Sequence, residues 1–169
     1  MTATGRLVWR HVPPPLRALG RWITIVQLVG YTTSLLFVHH TTRMTPLGVA
    51  THYRGADSTV ASDAPMEFPK SYAEMLTITH THLLAMAAIF VFSGAALALC
   101  ERPGERRRRL LIAEPFVALL VSFVSMWLMR YVDARFSWLL TLSSALMALT
   151  FYVQSYYVLR ELAWPVART

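Results

Sequence analysis

Apolar runs alternate with short polar breaks along this chain, at a spacing that admits few architectures. Four runs stand out, at residues 22–40, 78–100, 110–129 and 137–159, each 19 to 23 residues long. At about 1.5 Å of rise per residue, each can cross a hydrocarbon layer of roughly 30 Å as an α-helix. The fold expected is an all-α integral membrane protein. It is a four-transmembrane-helix antiparallel bundle in a single membrane domain (1–169), with a long structured outer loop at 41–77.

The breaks refine this picture. "TPLGVATHYRG" reads as a Thr-capped turn leading into a short helix, and "SYAEMLTITHTH" places Glu74 three residues after a serine, a capping-box spacing that starts the second long helix before the membrane. The first run follows a basic leader, "GRLVWRHVPPPLRALGR", but is longer than a signal-peptide core. The bulky, polar "VHHTTRM" after it is no cleavage site, so a retained signal anchor is expected.

Composition agrees with the pattern: 55% of residues are hydrophobic and mean hydropathy is +0.43, both high for a soluble globule. The formal charge of +7 changes little, because the arginines lie beside the apolar runs. Arg6, Arg10, Arg17 and Arg21 precede the first, and Arg102 and Arg106 to Arg109 fill the second link. The positive-inside rule puts both segments, and both termini, of the multi-pass chain in the cytoplasm. The outer loop holds Arg43, Arg54 and Lys70 against Asp57, Asp63, Glu67 and Glu74. With no basic face separable from this topology signal, lipid is the expected partner and nucleic acid is not. The lone Cys100 excludes an intrachain disulfide, a c-type haem attachment and a thiolate cage.

With orientation assigned, five of six histidines fall on the outer side: His39 and His40 at the end of the first run, His52 in the loop, His80 and His82 at the start of the second. Residues i and i+2 of a helix project about 200° apart and neighbours about 100°, so each pair offers about one inward imidazole. His80 shares a face with Ala87, Gly94 and Ala98, and His40 with Gly30, Thr33 and Phe37, which makes His40 with His80 the preferred pair. His39, His82 and His52 are further candidate ligands. Glu74, Arg54, Met86, Arg130 and Asp133 are expected around them, with Arg130 and Asp133 pairing to close the histidine face. Imidazoles from two helices suit haem b or copper. A role with no cofactor, anchoring helix ends at the interface, fits the same residues, as does proton or quinone chemistry.

Other polar residues point to structure. Glu114, four residues past the arginine run and next to Pro115, is expected in a first helical turn beside Arg108 or Arg109. Gln27 and Gln154 are expected to join helices. Trp22, Trp127, Trp138, Tyr156, Tyr157 and Trp164 form an interfacial belt.

"TPLGVATHYRG", "EFPKSYAEML" and "HTHLLAMAAIFVFSG", in that order between two spans, resemble a family of small bacterial four-helix inner-membrane proteins, some of which carry an elongation-factor label. The similarity covers most of residues 22–162 and implies the four-helix topology without supplying an activity. Translation-factor work is excluded separately, as the chain has no phosphate-binding Gly-rich loop. Three functions remain open: an electron-transfer protein holding haem or metal, a non-catalytic accessory or assembly subunit of a larger respiratory or photosynthetic complex, and a small membrane enzyme. The last is disfavoured, because no nucleophile has a base at recognisable spacing.

Overall fold

The computed structural model describes residues 7–56 and 67–163, and every regular element among them is helical. Arg6, Asp57, Asp63 and Trp164 lie outside the described residues. A short 3-10 turn, Trp9–His11, precedes five helices: α1 (Pro14–Thr42), α2 (Pro46–Arg54), α3 (Tyr72–Ala98), α4 (Glu105–Tyr131) and α5 (Phe136–Ala163). The four long helices have the length and hydropathy of membrane spans.

Each outruns its apolar segment for a local reason. Prolines open α1, where a missing N–H costs nothing. At the start of α3, Ser71 Oγ accepts from the Glu74 N–H while Glu74 Oε2 accepts from the Ser71 N–H at 2.7 Å, completing the expected capping box. The arginine run extends α4 back to Glu105, whose carboxylate pairs with Arg108 and Arg109 one turn on. At 27 to 29 residues, these helices reach roughly 40 Å, so their ends stand in the headgroup region.

Helices α4 and α5 form the tightest pair. Ser122 and Ser143 share a hydrogen bond of 2.8 Å across the contact, and small residues such as Ala118 and Ser125 let the backbones approach. Pro115 lies inside α4 and lacks the N–H that would bond Leu111 O. The Gln154 amide of α5 donates to that oxygen instead, at 2.6 Å. Gln154 is thus the interhelix link its position suggested.

Helix α3 packs on this pair, with Gly94 against Ile112. Helix α1 leans on α5 through Tyr31, stacked on Phe151 at 4.4 Å, and through Thr32, hydrogen-bonded to the Tyr152 hydroxyl at 2.8 Å. The core has three layers. Tyr31, Phe90, Leu119 and Phe151 fill the middle, Trp9, Leu97, Val158 and Leu162 the end beside the leader, and Val49, Met75, Met126 and Met129 the opposite end, the one that the arginine pattern assigns to the outer side. Trp9 anchors the leader: its indole N–H donates to Ala96 O at 2.9 Å and its ring lies over Gly20, where an added Cβ would stand 2.6 Å away.

Candidate functional site at the outer end

Among the described residues of the outer loop, one further helix, α2, follows directly on α1. Arg43 takes a left-handed conformation (φ 55°) that ends α1, and Thr45 Oγ1 accepts from the Gly48 N–H to start α2, as its sequence predicts. Gly48 is needed there, because a Cβ would lie 2.0 Å from Thr42 O. Val49 and Ala50 then bury against Met75, Met126 and Met129, so α2 closes the outer end of the bundle.

Two arginines brace it. Arg54 Nη1 donates to Met129 O at 2.7 Å, satisfying one of the last carbonyls of α4. Arg130 Nε donates to Lys70 O at 2.9 Å, with its guanidinium 4.9 Å over the Tyr131 ring. Asp133 accepts from the Arg135 N–H and faces the Arg135 side chain at 3.7 Å. The expected Arg130–Asp133 pair is therefore not formed: the loop backbone takes the arginine, and the α4–α5 turn takes the aspartate. Glu74 serves as the capping carboxylate of α3, 3.8 Å from Lys70. Met86 packs against the middle core layer.

His39, His40, His80 and His82 are all exposed, none of them turned into the bundle. The reason is phase. On α3 the inward seam runs through Met75, Thr79, Leu83, Met86 and Phe90, with Thr79 Oγ1 accepting from the Trp127 indole at 2.9 Å. His80 and His82 flank that seam on either side. On α1 the seam passes Thr24, Leu28, Tyr31, Leu35 and Thr42, with His39 at its edge and His40 on the far side of the helix. His82 Nδ1 lies 3.0 Å from Ile78 O, one turn back on its own helix, and 3.3 Å from Thr81 Oγ1. His52 is partly buried, edge-on to Tyr53 and 3.7 Å from Glu67. Burial pushes its imidazole below the ordinary value and Lys70 adds to that, while Glu67 pulls it back up. Among the described residues, no three His, Cys, Asp or Glu side chains come together as a metal-holding group.

Glu114 differs from its expected place. Because α4 begins at Glu105, Glu114 lies more than two turns inside the helix, and Arg108 is held by Cys100 O, Pro103 O and Glu105. Both carboxylate oxygens are buried without a hydrogen-bond partner, within electrostatic reach of Tyr31. An ionisable side chain so placed in a span is costly and is a candidate functional group in its own right.

The chain belongs to a family of transmembrane helical domains, whose model matches residues 43–168. It is a multi-pass membrane protein with four candidate spans. No curated protein and no solved structure matches it.

Proposed function

We propose that the protein is a non-catalytic accessory subunit of a larger assembly in a bacterial inner membrane, presenting the exposed side of α1 to a transmembrane helix of a partner subunit. One observation carries this reading. Gly30 has nothing within 4 Å of the place a Cβ would occupy, and exposed Ser34 follows one turn later. A small-xxx-small pair on an open, apolar helix face is a surface on which another helix can pack closely, whereas lipid tails gain little from it. The Thr33 and Ser34 hydroxyls donate to their own i−4 carbonyls, so the face is dry enough for such a contact.

The test is gentle extraction from native membranes followed by native electrophoresis, with photo-crosslinking from position 34. The wild type is expected to migrate with a partner, and Gly30→Leu is expected to release it while leaving the melting temperature of the purified protein unchanged. A wild type that is monomeric in the bilayer, or a Gly30→Leu assembly that stays intact, would sink the reading; crosslinks to a second copy would make the assembly a homo-oligomer.

A second reading rests on the four exposed imidazoles at the outer ends of α1 and α3. In this reading they hold haem b or copper together with groups from the partner. Oxidised and reduced absorbance spectra and metal analysis of the intact assembly decide it.

A further inference from the structure

At the end of the bundle opposite the histidines, the α3–α4 link and the last turns of α5 enclose an open notch of 370 Å³. It is lined by Arg102, Pro103, Gly104, Arg107, Tyr157 and Arg160. The link, the first turn of α4 and the end of α5 thus each bring one guanidinium to one concavity. The surrounding carboxylates are engaged elsewhere: Glu101 with Arg10 at 3.1 Å, Glu105 with Arg108 and Arg109, and Glu161 with the Glu101 N–H. Arg102, Arg107 and Arg160 make no ion pair among the described residues. Arg160 is steadied by the Tyr156 hydroxyl at 3.3 Å and lies 6.0 Å over its ring.

Gly104 adds a second contribution. It is the N-cap of α4 and has no side chain to cap the helix, so the unsatisfied N–H groups of the first turn lie beside the notch. Converging guanidiniums, free N–H groups and a tyrosine at headgroup level are the donor set that a phosphate monoester or diester requires.

We propose that this notch is a phosphate-binding site, with Arg107 and Arg160 from facing helices as its principal donors and Arg102 at its edge. The phosphate can come from an anionic phospholipid headgroup or from a soluble phosphate, and the same donors serve both. A site must be distinguished from the general attraction of a basic loop for an anionic membrane. Arg106 supplies the control: it is exposed, belongs to the same run and does not line the notch.

The experiment uses the full chain in phosphatidylcholine nanodiscs. One arm adds phosphatidylglycerol, with retained lipid read by native mass spectrometry, and the other adds inorganic phosphate, with binding read as a shift in melting temperature. Arg107→Gln and Arg160→Gln are each expected to weaken binding roughly five-fold or more, and Arg106→Gln to leave it unchanged. A response to phosphatidylglycerol alone identifies a lipid headgroup; a response to inorganic phosphate alone identifies a soluble ligand. Equal weakening by all three variants, or no response to either probe, would overturn the proposal.

Discussion

Helices α1 and α5 are of similar length and both apolar enough to cross a membrane, yet 11% of the most apolar stretch of α1 is buried and 33% of that of α5. Hydropathy decides whether a helix enters the bilayer; it does not decide how much of the helix other helices cover, since lipid tails are as apolar as leucine. What distinguishes α5 is a line of small or polar residues buried along its length, Ser143, Thr150, Gln154 and Ser155, of which Ser143 bonds Ser122 and Gln154 bonds Leu111 O. Helix α1 is held by a few strong points instead, namely Tyr31 on Phe151, Thr32 on Tyr152, and the Arg21 guanidinium on Leu162 O.

The sharpest way to break the contrast is truncation on each side. Phe151 is fully buried and joins α1 to the core, whereas Leu36 on α1 is 66% exposed. Phe151→Ala is expected to cost about 3 kcal/mol or more, from lost packing and the cavity left behind, and Leu36→Ala close to nothing. Reversible unfolding in mixed micelles measures both. A Leu36→Ala cost approaching that of Phe151→Ala would mean that the exposed side of α1 is packed in the isolated protein.

A smaller effect sharpens the account of α5. Gln154→Leu leaves Leu111 O without a donor inside the bundle, at an expected cost of about 1–3 kcal/mol. Pro115→Ala restores a backbone N–H for that same oxygen, so in its background Gln154→Leu should cost distinctly less. Additive costs in the double variant would show that Gln154 acts through packing and not through the carbonyl.

The features legible in the sequence are those set by local rules. Four apolar runs sufficed for four spans, and the Thr45 and Ser71/Glu74 caps could be read because a cap depends on residues three positions apart. The position of Glu114 could not, because hydropathy marks where membrane begins while the helix itself starts further back, at Glu105, wherever charged residues are good helix formers. Trp9 bonds a carbonyl 87 positions away, which no local pattern encodes. The exposure of the histidines was hidden for a geometric reason: one residue of phase turns a side chain by about 100°, enough to separate an inward face from the exposed ones that His40 and His80 occupy. The arginine notch escaped because its members come from three segments, and only the fold brings Arg160 to Arg102 and Arg107.

The smallest expected effect concerns α2, the element that joins α1 to the covered helices. His52 loses more from burial than it gains from Glu67 at 3.7 Å, so the fold favours its neutral form. A base whose proton affinity is lower in the folded than in the unfolded state contributes stability that is complete above its unfolded value of about 6.5 and is lost as pH falls through the folded value. The unfolded chain takes up the proton first, and acid therefore favours unfolding. Because His52 is only partly buried, solvent moderates the effect. Melting curves taken between about pH 7.5 and pH 5 should show a modest loss of stability on acidification, and His52→Gln, which keeps a polar side chain without a titrating group, should flatten that part of the profile. An identical acid slope in His52→Gln would place the pH sensitivity elsewhere and leave Val49, Ala50, Tyr53 and Arg54 as the contacts that hold α2.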